Sequence, residues 1–426
     1  MAPDQPFAGI TVVEFGQFVA VPFCAQLLAE GGAHVIKIEA LDGDPVRKLG
    51  QLAPGETRVY LSRNRGKHSL PLNLRHPDAA PVIDALLAQA DVALMNFRPG
   101  LAEQLGLDGP TLRARYPRLI IGEVTPFGRN GPDSHLPGMD IVVQARSGLM
   151  VSNGRSADGQ GDDRPVAGDP VSADYMTAMT LAFGVSSALL RRERTGQGGE
   201  VHVSLMQSAM TLNNNQMLRV DSVDGPLHEA SLTELESLRR SGAGYAAQRA
   251  TLPSSRASSM LKVYFRTYTT QDGWLAIACG SPSLRQRFIT AIGLEDPGLT
   301  DDVLASADDH NEALRVSAES VMAARTTKEW ESILAEAGVP ASDVKFPPEL
   351  LDDEHPNATG MFHDLDHPIL GNVRLLAPPV KLDGDGFRPG PATAPFATEA
   401  RDILTALGFE SAEIDALIET KVTRQA

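Results

Sequence analysis

Between residues 10 and 125, short apolar runs alternate with helix-patterned stretches, and that alternation leaves few folds open. Residues 10–15 (ITVVEF) and 34–39 (HVIKIE) read as strands, and residues 21–29 (VPFCAQLLA) between them as a helix closed by Gly31 and Gly32. Strand, helix and strand within about thirty residues make a βαβ unit, with parallel strands and a right-handed crossover. The pattern recurs with a helix over 77–89, a strand over 92–97 (VALMNF), a helix over 101–116 and a strand over 119–124 (LIIGEV). The expected fold class is α/β, a doubly wound, Rossmann-like parallel sheet. Ligands of such a sheet sit beyond the carboxyl ends of its strands, here near Gln17, Asn96, Phe97 and Arg98, and the run from Thr125 to Gly128. Glu39 ends the second strand where a dinucleotide-binding protein holds a ribose. The first turn, Gly16 to Val21, lacks the spaced glycines that let pyrophosphate approach the backbone, so NAD is not expected.

Residues 164–209 form the most distinctive block. Pro165, Gly168 and Pro170 break the backbone, and Ser172 is placed to cap a helix. From Ala173 onward, apolar or small residues occupy every side, which predicts a buried helix. Asp174 lies in its first turn. A carboxylate there has two readings: a residue stabilised by the helix dipole and free N–H groups, or a nucleophile kept ionised by the helix terminus and able to attack an acyl carbon. Spacing does not choose between them.

Bulk charge narrows the partners. The formal net charge is −16, which argues against nucleic acid and anionic membrane surfaces but leaves room for a small anionic ligand held by local cations. Residues 62–68 (SRNRGKH) make a basic turn in this acidic chain, read either as a solvated loop or as a phosphate-binding patch. Cys24 and Cys279 each sit among apolar residues, as buried thiols of a reducing compartment do, and no metal-ligand spacing accompanies them. The first residues, MAPDQPFAG, carry no secretory signal pattern and no apolar run spans a bilayer, so a cytoplasmic location is expected.

Further along, residues 138–150 lead into the Asp174 block, residues 152–164 read as a loop, residues 200–206 (EVHVSLM) as a strand and 207–218 as a helix. Residues 220–259 read as a long, partly mobile connection. A second unit follows, with a hairpin from 263–269 and 274–278 about Gln271-Asp272-Gly273, then helices over 283–292, 311–324 and 327–336. A strand region over 368–375 precedes a last helix over 398–407. The expected domains are residues 1–219 (large, Rossmann-like, carrying Asp174), 220–262 (linker), 263–350 (smaller α+β) and 351–426 (a return segment with a C-terminal helix on the large domain).

Taken together and in order, these segments resemble the class III (CaiB/BaiF-type) CoA-transferase family over nearly the whole chain. The resemblance rests on FVAVPFCAQLLAEGGAHVIKIEALDGDPVR, SRNRGKHSLPLNLRHP, VALMNFRPGLAEQLGL, PRLIIGEVTPFGRNGP, GMDIVVQARSGLM, the Asp174 helix with TGQGGEVHVSLM, and the later TQDGWLAIA and EAGVP. The resemblance implies an enzyme that transfers CoA between carboxylic acids. Asp174 would be its nucleophile, passing through an acyl–aspartyl anhydride and an aspartyl-CoA thioester. It also implies an interlocked homodimer, acyl-CoA and a small carboxylic acid as substrates, no metal and no permanently bound cofactor.

By the same resemblance, CoA lies along the sheet's carboxyl edge. Gln17, Phe18, Val19 and Ala20 fall near pantetheine, Leu72 and Arg75 near adenine and its phosphate, and Asn96, Phe97 and Arg98 beside the nucleotide. Arg47, Gln104, Met139 and Asp140 complete the set. The racemase branch of the family carries a histidine where this chain has Met139. A thioether moves no proton, so two-base epimerisation lacks its partner; Asp140 would replace it only as an inward-pointing base, and the favoured reading of Asp140 is a cap or loop salt bridge. Gln104 and Pro137 stand where the formyl-CoA branch has basic residues and Gln17 where it has histidine, which argues against oxalate or formate as acceptor. An acyl-CoA isomerase or lyase and a CoA-binding protein without turnover are the alternatives, and residues 254–259 are the stretch expected to cover the site.

Overall fold

The computed structural model describes residues 5–154, 156, 163–252, 260–383 and 386–426. The chain divides into two compact units, residues 1–251 with 358–426, and residues 252–357.

The first unit is built on six strands: β1 (Thr11–Glu14), β2 (His34–Glu39), β3 (Lys67–Pro71), β4 (Val92–Met95), β5 (Ile120–Thr125) and β6 (Gly199–Ser204). Their order across the sheet is β3-β2-β1-β4-β5-β6, and every pairing is parallel. The chain winds outward from β1 to β3, then returns to begin β4 on the other side of β1. The strand order therefore reverses between β1 and β4, which opens a crevice at their carboxyl ends. The doubly wound sheet expected from the alternation is present.

Five helices of this unit matter to the site: α1 (Ala20–Glu30), α2 (Arg58–Asn64), α3 (Ala80–Gln89), α4 (Asp140–Arg146) and α5 (Ser172–Thr195). One face of the sheet is covered by α1 and α5, through Val21, Cys24 and Leu28 from the first and Ala178, Leu181 and Val185 from the second. The opposite face is covered by α3 and two C-terminal helices, through Val82, Leu86, Leu404 and Ile414. Gly122 of β5 allows α5 its close approach. A methyl group there would stand 2.6 Å from Leu94 and 3.3 Å from Leu181.

The second unit pairs Phe265–Thr269 with Trp274–Ala278 as an antiparallel hairpin, to which Ala341–Asp343 adds. Helices Pro282–Ala291, Asp308–Met322 and Thr327–Glu336 close over Tyr264, Tyr268, Leu275, Phe288 and Leu334. It is the smaller α+β element expected.

Several local expectations are corrected. The helix expected over 101–116 is two, Leu101–Leu105 and Gly109–Arg115, because Gly106 turns left-handed and Asp108 caps the second through the Thr111 N–H. The basic run 62–68 is no loop: it ends α2 and begins β3, with Arg65 and Lys67 buried against Glu30 and Glu14. The expected connection over 220–259 is helical at Asp221–Arg240 and Tyr245–Ala250, while residues 253–259 lie outside the described residues. A final helix, Ser411–Glu419, follows Ala400–Ala406 and was not expected. The strand region near 368–375 is a hairpin of Phe362–His367 with Gly371–Leu376. Helix α5 is not buried all round: Met179, Phe183 and Leu190 are exposed on the side away from the sheet.

Candidate active site

Beneath the carboxyl ends of β1 and β2 lies a buried group of charges. Lys37 reaches Glu14 at 2.8 Å and Asp44 at 3.0 Å, and Lys67 reaches the other oxygen of Glu14 at 2.7 Å. Paired in this way, buried charges are tolerated. The group fixes the turn between β1 and α1. Lys37 donates to the Gly16 carbonyl at 2.7 Å, and the Phe18 N–H points at Asp44 at 3.5 Å. Between them, the Gln17 N–H donates to Asn96 Oδ1 at 3.0 Å, and Asn96 Nδ2 donates back to the Gln17 carbonyl at 2.9 Å. Asn96 follows β4, so this one amide ties together the two strands that flank the reversal point. Held from both sides, Phe18 adopts φ of +67°, a left-handed conformation that costs a residue with a Cβ about 1 kcal/mol or more.

Asp174 lies in the first turn of α5. The expected Ser172 cap is not made. Val171 holds the cap position and offers no side-chain bond. Asp140, at the start of α4, supplies the acceptor instead, taking the Asp174 N–H on Oδ1 at 3.0 Å. Its second oxygen accepts from Gln144 Nε2 at 2.5 Å, and the same amide grips both backbone groups of Gly168, at 2.9 and 3.2 Å. Asp140 thus caps α5, and Gln144 fastens the loop that leads into it. Neither Ser172 nor the helix dipole keeps Asp174 in the usual carboxylate range. Burial first, and the Asp140 charge second, push its carboxyl from 3.8 up to about 7, while Arg63 draws it down. The terminus is weakened as an anion site because Asp140 already occupies the Asp174 N–H.

Arg63, from α2, rests on Tyr175. Its Nε and Nη2 donate to the Tyr175 hydroxyl at 3.3 and 3.2 Å. The Tyr175 ring meets Phe23 of α1 edge-on at 5.0 Å. Helices α1, α2 and α5 therefore converge beside the nucleophile candidate.

A cavity of about 330 Å³ runs along the carboxyl edge, between Asn96, Phe97 and Arg98 on one side and Pro137, Gly138 and Met139 on the other. A second, of about 290 Å³, shares Phe97 and Arg98 and extends past Glu103 to Arg129. Met139 is exposed, lines the first cavity and directly precedes Asp140. Gln17 is tied to Asn96; Asn96, Phe97, Arg98 and Met139 line the first cavity; and Asp140, next after Met139, holds Asp174.

Other expected contacts fall elsewhere. Val19 and Ala20 turn their side chains into the protein, leaving only backbone for a ligand. Arg47 is 2% exposed. Its Nε and Nη2 lie 2.8 and 2.9 Å from Glu39, Nη1 donates to the Gly55 carbonyl, and its plane stacks on Tyr60. With its donors engaged internally, Arg47 is a structural cation and not a phosphate ligand. Leu72 is buried among core residues under the C-terminal helices, and so does not face adenine. Arg75 and Gln104 are exposed and line neither cavity. Sequence reasoning missed Tyr175, Gln144, Lys37 and Asp44, and it noticed Arg63 only as part of the basic run 62–68. For Lys37 the readable signal was a lysine flanked by the apolar residues Val35, Ile36 and Ile38 of one strand.

Comparison with known proteins decides the kind of molecule. The model of CoA-transferase family III matches residues 7–396. The chain belongs to that family. Among its relatives, cinnamoyl-CoA:phenyllactate CoA-transferase of Clostridium sporogenes is 28% identical, covering 97% of this chain and 96% of that protein. The succinyl-CoA–L-malate CoA-transferase beta subunit of Chloroflexus aurantiacus is 31% identical over 87% of this chain and 86% of its own. A crystal structure of a CaiB/BaiF family protein from Brucella suis superposes with a TM-score of 0.72 at 25% identity, covering 95% of this chain and 99% of that one. The class III CoA-transferase resemblance read from the sequence holds, and the family supports CoA transfer as the chemistry.

Proposed function

We propose that this class III CoA-transferase moves CoA from an acyl-CoA donor to a carboxylic acid acceptor through Asp174. The supporting observation is the position of Asp174: half-buried at the start of α5, with its backbone fixed by Asp140, the residue that follows the cavity-lining Met139. An Asp174 oxygen attacks the thioester carbon, and the C–S bond breaks to release the CoA thiolate and leave an acyl–aspartyl anhydride. The thiolate attacks the aspartyl carbon, expelling the donor carboxylate and leaving an aspartyl-CoA thioester. The acceptor carboxylate then repeats both steps in reverse order, and Asp174 returns as carboxylate. No net proton is transferred, so the site needs no general base.

The racemase-like alternative finds little support. Met139 has no proton to exchange, and both oxygens of Asp140 are engaged by Asp174 and Gln144. CoA enters as a diffusible substrate, with Arg98 and the backbone of the Gln17–Ala20 turn along its path. The proposal extends to the family's homodimer. Phe183 of α5 is 75% exposed and the helix Asp221–Arg240 buries no residue while exposing Val223 and Leu227, so a partner has apolar surface to cover. Two buried free cysteines fit a reducing, cytoplasmic setting.

Intact-protein mass spectrometry with cinnamoyl-, succinyl- and acetyl-CoA, quenched by hydroxylamine or borohydride, tests the covalent route. Modification mapped to Asp174 is expected, and Asp174→Ala is expected to bind CoA without turnover. An Asp174 that stays unmodified while acyl-CoA binds would overturn the proposal.

A further inference from the structure

Four cations cluster in the run Arg63, Arg65, Lys67 and His68, and the structure treats one of them differently. Arg65 donates to Glu30 at 2.7 Å, Lys67 meets Glu14 at 2.7 Å, and His68 meets Glu399 at 2.8 Å. Among the described residues, no carboxylate lies within ion-pair distance of Arg63. Its bonds go to the neutral Tyr175 hydroxyl, with the guanidinium carbon 5.4 Å from the centre of that ring. Tyr175 immediately follows Asp174, and its ring is itself held by Phe23 at 5.0 Å. An arginine half-exposed beside a nucleophile, steadied by an aromatic ring and lacking a carboxylate of its own, is a guanidinium held ready for one.

The proposed reaction supplies that carboxylate at a defined moment. In the resting enzyme Arg63 is close enough to Asp174 for its charge to favour the ionised carboxyl. Once Asp174 has become a thioester its charge is gone, and an anionic acceptor must approach the same carbon. We propose that Arg63 is the substrate-binding cation that receives the reacting carboxylate of the acceptor acid beside the aspartyl-CoA thioester. The inference rests on the covalent reading above. The donor carboxylate expelled in the first half leaves from the place where the acceptor enters in the second, so the guanidinium, which bonds only Tyr175 at rest, receives one carboxylate in each half of the cycle. The acceptor's oxygen forms its bond to the aspartyl carbon as the thiolate leaves, so Arg63 gives or takes no proton.

The test separates the two half-reactions. Donor loading is read as hydroxylamine-trapped label on Asp174 from acyl-CoA, taken on the alkaline plateau of each variant's own pH profile. Acceptor use is read as KM for acetate, benzoate and succinate in full turnover. For Arg63→Gln the acceptor KM is expected to rise about tenfold to a hundredfold, the loss typical of a charge-assisted hydrogen bond, with donor loading changed less than about threefold. Arg63→Lys is expected to recover part of that loss, and Tyr175→Phe, which removes the holding oxygen, to show a smaller rise of the same kind. An unchanged acceptor KM in Arg63→Gln would refute the assignment. So would equal losses in both half-reactions, which would make Arg63 a support for Asp174 alone, or a loss confined to succinate, which would make it a receptor for a second carboxylate. Failure of wild-type Asp174 to load at all would instead remove the covalent reading on which the assignment stands.

Discussion

Replacing Asp140 by asparagine should make Asp174 more acidic without removing the bond that caps α5. Asp174 titrates at about 7 in place of 3.8, a shift of about three units, or about 4 kcal/mol at 1.36 kcal/mol per unit. Its partly exposed side trims that figure. Burial is the larger cause and the Asp140 charge the second, so neutralising Asp140 is expected to lower the titration by about one unit, or about 1.4 kcal/mol. The asparagine oxygen still accepts from the Asp174 N–H, but its amide confronts the Gln144 amide that Asp140 now accepts from, for a loss of about 1 kcal/mol in stability. The assay is the rate of Asp174 labelling by acyl-CoA against pH. With the acid limb moved from about 7 to about 6, the ionised fraction at pH 6 rises from about a tenth to about a half, and labelling there speeds about fivefold. Above pH 8 the two proteins should nearly coincide. The stability profile carries the matching sign. A carboxyl whose folded pKa is raised contributes fully below its unfolded value near 3.8 and loses that contribution as pH rises through about 7. The variant's stability deficit should therefore be widest below pH 4 and narrow towards pH 8. An acid limb that stays at about 7, or moves upward, would show that Asp140 does not set the reactivity of Asp174.

Arg47→Met should strip the buried Glu39 and Glu56 carboxyls of their shared guanidinium and cost about 3–5 kcal/mol, read as a lowered unfolding midpoint, while calorimetric CoA affinity of the folded fraction is unchanged; tenfold weaker CoA binding at full stability would restore Arg47 as a phosphate ligand. Asn96→Ala removes both bonds to Gln17 and releases the strained Phe18 turn. The expected result is an acyl-CoA KM raised about fivefold to tenfold, the worth of about one lost hydrogen bond, with a thermal midpoint within a few degrees of wild type.

The alternation of strands and helices between residues 10 and 125 was enough to place the sheet, because buried parallel strands and the helices over them leave unambiguous apolar patterns. What it could not convey was how charges in those strands are used. Lys37, Glu14 and Glu39 lie in strands whose neighbours are fully buried, and only the folded arrangement shows each to have partners. The basic run 62–68 misled for the same reason. A local cluster of like charges looks solvated, yet β3 and α2 carry Arg65 and Lys67 inward to carboxylates more than thirty residues away in sequence. Helix α5 misled in the opposite direction, since apolar residues on every side read as burial within one chain, and Phe183 and Leu190 instead face away from it.

The active-site reading divides along the same line. The place of Asp174 in the first turn of its helix was legible from the sequence, and the crevice from the strand order. Its reactivity was not, because a carboxyl's pKa is set by what stands across from it in space. A helix terminus favours an anion only while its N–H groups are free. Here the Asp174 N–H is engaged by Asp140, a residue 34 positions earlier that brings a second negative charge. A nucleophilic carboxylate that titrates near neutrality combines greater basicity with a useful ionised fraction at pH 7, which the ordinary range near 3.8 would not give. The Asp140 contact therefore does two things at once: it fixes the backbone of Asp174 and raises the basicity of its carboxylate. The Arg63 charge works against the second effect and draws the Asp174 carboxyl back down.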